Sequence, residues 1–399
     1  MTSEIKRQPP PEELKSLWAH HNAEWRDPME VISLWDGEAD QVRDLLQYRV
    51  TGAWWDILDD TSITLLISRE YEHLVMAMCV LDGKPFVTYL RLPHPSGIAY
   101  DADSKTVHIA ATRNPNQVFA FKAVSGTMPR SDMPYQGSQF RQLVPVQSNF
   151  YPGSLYIHDL AVIGGELYAN SVGQNAIVRL SEQGQHERVW WPKVIETEDG
   201  PVIGQNHLQL NSIAAGTSIV ESYFSASIDV VSTRRPGHKN FPVDKRGVIF
   251  SGQTREVIAR GLTRPHSACI YDSHIWVDNS GYGELGYIEN GQFRAVTRLP
   301  GWTRGLTFHR HIAFVGTSRV IPRFSQYAPG LEVESSICGL HAVDTHTGKT
   351  LGSLVWPYGN QIFALKSVPR ALVTGFPFHA NAKRATRQER QLFYAFETE

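Results

Sequence analysis

From Ser62 onward, short apolar runs alternate with turn residues, a texture that predicts β-strands. SITLLIS at Ser62, LVMAMCVL at Leu74 and FVTYLRL at Phe86 are too short for helices and are broken by Asp-Gly and Gly-Lys turn signals. Before Ser62 the pattern is helical: Glu12 to Trp25 follows a triple proline, and Val42, Leu45 and Leu46 recur at helical spacing within Glu38 to Arg49. Trp18, Trp25, Trp35, Trp54 and Trp55 fall in this first part and suit packing against a wall of strands.

One phrase recurs through the β region: a polar opening, an apolar strand, a turn, and a second apolar strand ending in small polar residues. Its copies are PSGIAYD at Pro95, IHDLAVI at Ile157, LNSIAAG at Leu210, PHSACIY at Pro265, TRGLTFH at Thr303 and QIFALKS at Gln361. The spacing, about 40 to 60 residues, is the period of four-stranded propeller blades with loop insertions. The expected fold is therefore all-β, a six-bladed β-propeller over residues 61–399 behind a short helical extension over 1–60. The sixth copy lacks strands of its own, so the strands after Ser62 are expected to complete that last blade and close the ring.

In such a blade the first strand lines the channel and the second runs back beside it, so first-strand starts and second-strand ends share one face. The starts supply Ser96, His158, Asp159, Asn211, Ser212, His266, Ser267, Arg304 and Gln361. The ends supply Asn170, Ser171, Asp278, Asn279, Ser280, Ser318 and Arg319. The long loops Trp190 to Gln209, Asp229 to Arg246 and Arg319 to Ser336 emerge on the same face. The middle one carries Arg234, Arg235, Lys239, Lys245 and Arg246, which together with Arg304 and Arg319 would make the mouth cationic and suited to an anionic ligand.

Composition changes this picture little. The 399 residues carry 38 basic and 40 acidic side chains, a net charge of −2, so no global field favours nucleic acid or an anionic membrane. No apolar run is long enough to span a bilayer, and Cys79, Cys269 and Cys338 read as reduced core residues of a cytoplasmic protein. Oligomeric state is not legible.

Three readings of the channel stand side by side. His158 and His266, with His207 or Gln361 completing the site, could hold a divalent zinc, manganese or iron ion, although no HxH, CxxC or HExxH spacing accompanies them. His158 could instead act as general base or acid beside Asp159, Arg304 holding an anionic group and Asn211 donating a hydrogen bond. That set suits elimination, isomerisation or hydrolysis without a cofactor, and no GxGxxG or Walker run is present. Asn170, Ser171, Asn279, Ser280, Arg319 and Gln361 would line the substrate pocket. The third reading is a non-catalytic propeller that binds a small molecule, peptide or protein across this face. A serine nucleophile has no elbow or triad order to support it.

The segments IHDLAV, LNSIA, LTRPHSACIYDSHIWVDNSG and LPGWTRGLTFHRHIAFVGTSR resemble the signature segments of an uncharacterised propeller family, domain of unknown function 4915, from about Ser62 to Pro369. The resemblance implies a six-bladed propeller in a bacterial cytosolic setting and no particular activity. This chain departs from the family pattern at Gln209-Leu210-Asn211-Ser212, where the family has His-Leu-Asn-Gly. It departs again at Asn360-Gln361-Ile362-Phe363, where the family has Gln-Glu-Ile-Phe.

Overall fold

In the computed structural model, six antiparallel sheets stand around a central channel. The structure describes residues 39–113, 116–128, 141–231, 241–381 and 396–398, together with Glu12, Lys15, Ser16 and Ala19. Numbered by their innermost strands, the blades start at Pro95–Asp101, Ile157–Ile163, Leu210–Ala214, Pro265–Tyr271, Trp302–His309 and Ala364–Pro369. Each innermost strand coincides with one copy of the repeated phrase. Among the described residues no helix is long and apolar enough to cross a membrane.

Blade 6 closes the ring as its missing strands require. Its inner strand, Ala364–Pro369, pairs antiparallel with Ile63–Arg69, followed outward by Leu74–Leu81 and Lys84–Arg91. Ile63–Arg69 is buried along its whole length, and Leu74–Leu81 nearly so. Blades 5 and 1 cover both faces, which is why these strands read as continuous apolar runs rather than alternating ones.

The first described helix, α1 (Ala39–Leu46), leads into the strand Arg49–Gly52, which adds a fifth strand to the outer edge of blade 5. The second, α2 (Trp54–Thr61), ends where Ser62 turns left-handed at φ 52. Trp54 and Leu58 are fully buried with Leu65, Met76, Phe314 and Leu354, so α2 wedges between blades 5 and 6. The sequence pattern missed both the short strand and α2. Trp18, Trp25, Trp35 and most of the helical stretch from Glu12 to Trp25 lie outside the described residues.

Near the channel, each seam between blades is crossed by a side chain that donates to a carbonyl of the next blade. Ser68 Oγ donates to the Ser96 carbonyl at 2.6 Å, Ser96 Oγ to Ile157 at 2.8 Å, and Asn170 Nδ2 to Leu210 at 2.9 Å. Asn211 Nδ2 donates to Pro265 at 2.9 Å, Ser280 Oγ to Thr303 at 2.7 Å, and Ser318 Oγ to Ile362 at 3.1 Å. Apolar packing is non-directional, so this belt, with the Asp159–Ile213 and Ser267–Gly305 contacts, fixes the register of each blade on the next. Every donor in it is a buried Ser or Asn, and leaving one unpaired costs about 1 to 3 kcal/mol.

Candidate functional site

The inner strands do not run straight through the channel. In blades 1 to 5 the pairing of first with second strand slips next to the residues that open the phrase, at Pro95/Ile98, Ile157/Leu160, Leu210/Ser212, His266/Cys269 and Thr303/Leu306. Such bulges re-aim side chains. Ser267 and Gly305 take up the bend with φ 54 and 89.

At this level His158, His266, Arg304 and Phe363 form a waist, lining both an upper chamber of about 250 Å³ and a lower one of about 310 Å³. The Arg304 guanidinium carbon lies 3.3 Å from the Phe363 ring centroid, and the His158 ring meets the same phenyl edge-on at 5.4 Å. Arg304 is buried, yet among the described residues no side chain or carbonyl accepts a hydrogen bond from it.

The upper chamber is cationic. Among the described residues, Arg113, Arg264, Arg304 and Arg319 line it against one carboxylate, Glu70, which pairs with Arg113 at 3.2 Å. Arg264 lies over the Tyr327 ring at 4.1 Å and donates to Ser227 Oγ at 3.1 Å. Burial lowers both Arg264 and Arg304 to about 10, so both remain charged at neutral pH. Arg319 donates to the carbonyls of Gly359 and Pro357, both at 2.9 Å. Trp302, Tyr71, Tyr156 and Ile321 supply apolar wall.

Both imidazoles are neutral. Burial, and then the Arg304 charge, pushes His158 and His266 well below the ordinary histidine value. His266 Nδ1 is 2.8 Å from the Arg264 carbonyl, which can only accept, so Nδ1 carries the proton and Nε2 the lone pair. That lone pair can accept a proton or a hydrogen bond. Two adjacent guanidinium charges oppose a divalent cation at the same place. Among the described residues no three His, Cys, Asp or Glu side chains assemble as a metal-binding group, so His207 does not join His158 and His266. His207 lines neither chamber; its amide donates to Asn175 Oδ1 at 2.8 Å.

The remaining sequence candidates divide by position. Gln361 lines the upper chamber, its Oε1 buried without a hydrogen bond. Gln209 lines it too, so each departure from the family pattern places a residue at this chamber. Asp159 and Asn211 line the lower chamber. Asp159 accepts backbone N–H groups from Leu160 at 3.0 Å and Ile213 at 2.9 Å, and burial raises its carboxyl to about 6.

Asn170, Ser171, Asn279 and Ser280 line neither chamber. Asn170 accepts the amides of His158 at 3.0 Å and Asp159 at 2.5 Å, while Ser171 donates to Leu155 at 3.4 Å. Asn279 accepts from Thr263 N at 2.6 Å and donates to Glu284 at 2.8 Å, and Ser280 belongs to the seam belt. Their polarity serves neighbouring backbone.

The basic loop contributes differently from the sequence expectation. Arg234, Arg235 and Lys239 lie outside the described residues, and Lys245 and Arg246 are not on the chamber wall. Arg113 and Arg264 are, and the sequence reading passed over both. Arg264 had a signal, since it directly precedes the strand opened by Pro265. Glu70 and Tyr71 had none, because only ring closure brings that turn to the mouth. Trp190 packs on Phe224 at 4.1 Å and donates to Gly252, which anchors its long loop.

Six closed blades around a polar waist define a six-bladed β-propeller with a central site. Residues 52–374 match the family profile of domain of unknown function 4915, and the chain belongs to that family. No curated protein matches the sequence. A chain from a nidogen/laminin complex aligns at 8% identity and TM-score 0.49, covering 76% of this chain and 98% of that one. A Bacteroides caccae protein of unknown function aligns at 11% and 0.48, covering 77% and 98%. A gluconolactonase from Xanthomonas campestris aligns at 14% and 0.42, covering 74% and 86%.

Proposed function

We propose that the upper chamber binds a small or peptidic anionic ligand, a carboxylate or phosphate ester, with Arg304 and Arg264 as its principal contacts. The observation that carries this reading is the buried Arg304 guanidinium, which has no hydrogen-bond acceptor among the described residues. A buried, unpaired cation is costly, and an anion arriving in the chamber repays that cost with charge-assisted hydrogen bonds.

Beside that anchor, the neutral His266 Nε2 is suited to act as a general base. In this reading it removes a proton from the carbon next to an anchored carboxylate; the C–H electron pair forms a C=C bond to the carboxylate carbon as its C=O pair moves onto oxygen. When that C=O re-forms, the pair moves to the adjacent carbon and a leaving group departs with its bonding electrons, as in a lyase, or a proton returns at another carbon, as in an isomerase. Arg304 and Arg264 offset the negative charge that builds on the carboxylate during proton removal.

Isothermal titration with inorganic phosphate and with acetate tests the reading on wild type, Arg304→Ala and His266→Asn. Arg304→Ala weakens binding at least about tenfold and His266→Asn leaves it within about threefold if the assignment holds. Equal affinity of wild type and Arg304→Ala for both anions would refute it. A substrate found later that His266→Asn still turns over at the wild-type rate would remove His266 as the base and leave only the anion anchor standing.

A further inference from the structure

The anion-binding reading leaves the class of acid open, and the following inference rests on it. We propose that the ligand is a planar acid, a carboxylate conjugated to one ring or to an alkene, lying in the plane of Arg304 and along Phe363.

A guanidinium is flat, and its N–H donors point outward in that plane. Phe363 covers one face of Arg304 at 3.3 Å, leaving the edge for an acceptor. A carboxylate held by two parallel N–H bonds lies in the guanidinium plane. Whatever is conjugated to that carboxylate extends the plane into the chamber, where it meets ring faces and edges. A tetrahedral ring on the same carboxylate puts hydrogens above and below the plane and loses that contact.

The rest of the chamber fits the same shape. Arg264 is covered in its turn by Tyr327, with its guanidinium carbon 4.1 Å from the ring centroid. Trp302 meets Tyr327 edge-on at 6.3 Å and the His266 ring at 6.0 Å. Two cations backed by rings, with further aromatic wall between them, make slots rather than an open basin. Size sets the upper limit: a cavity of about 150 Å³ holds benzene, and this chamber has about 250 Å³. One ring with its carboxylate fits. An offset aromatic stack adds about threefold to tenfold in affinity.

The test is calorimetric titration of benzoate, cyclohexanecarboxylate and acetate into wild type, Arg304→Ala, Phe363→Leu and Trp302→Leu, each checked by melting temperature. Cyclohexanecarboxylate matches benzoate in size and charge and is at least as apolar, so a preference for benzoate reports planarity. Wild type is expected to bind benzoate about tenfold tighter than cyclohexanecarboxylate. Phe363→Leu is expected to shrink that ratio to within about twofold. If Phe363→Leu does not fold, Trp302→Leu supplies the readout, with a ratio reduced at least threefold. Cyclohexanecarboxylate binding as tightly as benzoate to wild type overturns the planar class; the anion reading then survives where Arg304→Ala weakens both acids. Acid affinities that ignore Arg304→Ala overturn both.

Discussion

The carboxylate of Asp159 accepts the amide of Ile213 at 2.9 Å, across the seam between blades 2 and 3, while its chain neighbour His158 lines the waist. One dipeptide thus splits its two polar side chains between holding the ring together and furnishing the channel. The bulge beside Ile157 lets both side chains line the channel, Asp159 at the lower chamber, where a straight strand would send only one of the two toward the axis.

That division has a consequence for pH. Burial raises the Asp159 carboxyl from its ordinary value to about 6. The stability this group contributes is therefore fully present below about pH 4 and is lost as pH rises through about 6. Asp159 also couples electrostatically to Arg304, so its ionisation partly cancels the cation that faces the ligand. Acetate is expected to bind more tightly to the protein at pH 5.5 than at pH 7.5, and Asp159→Asn to remove most of that difference. Calorimetry at the two pH values decides, and an unchanged pH dependence in the variant would contradict the assignment.

The two waist histidines should resist protonation. With burial and Arg304 holding both below the ordinary value, their NMR resonances are expected to show no titration centred near 6.5 and to move only at lower pH. His158→Asn and His266→Asn identify the signals. A normal midpoint for either ring would show that its burial or its exposure to Arg304 is less than the geometry implies.

Asn170 ties together three backbone groups, the amides of His158 and Asp159 and the carbonyl of Leu210. Asn170→Ala leaves all three unpaired in the interior and is expected to cost about 2 to 4 kcal/mol in urea denaturation. Ser280→Ala breaks the single belt bond to Thr303 and one contact to His266, and should cost about 1 to 2 kcal/mol. The larger loss at Asn170 is the informative part. If the two variants are equally stable, the amide is not the clamp on the His158 strand.

Gly97 is a packing requirement. A Cβ built there would stand 2.6 Å from Asp159 Cα and from Leu160 N, both backbone atoms of the next blade. Gly97→Ala must push blades 1 and 2 apart beside the waist, and is expected to cost about 1 to 3 kcal/mol in thermal unfolding. Melting within a degree of wild type would mean that this seam is looser than its contacts indicate.

The ring was legible because its innermost strands carry the same demand six times: apolar packing on two flanking blades, begun by residues that face the channel. His158, His266 and Arg304 were legible for the same reason, each standing where a phrase opens. At second-strand ends the same logic holds for Ser318 and Arg319, which line the upper chamber, and not for Asn170, Ser171, Asn279 and Ser280. Asn170 and Ser280 are polar to serve the backbone of the neighbouring blade, and a small polar residue in a string of letters does not reveal which way it turns. Arg113, Glu70 and Tyr71 come from turns of blades 1 and 6 that meet only in three dimensions, so spacing along the chain held no trace of them.

Closure of blade 6 joins Ile63–Arg69 to Ala364–Pro369, strands separated by roughly 300 residues of synthesis. At translation speeds of about 5 to 20 residues per second, the first strand waits on the order of 15 to 60 seconds for its partner. Throughout that interval a largely apolar strand stands with an open edge, a natural client for a chaperone. Gln361 and Phe363 reach the chamber with the same late segment. A growing chain therefore cannot present a finished site before its ring is sealed, and birth of the fold and birth of the binding pocket are one event.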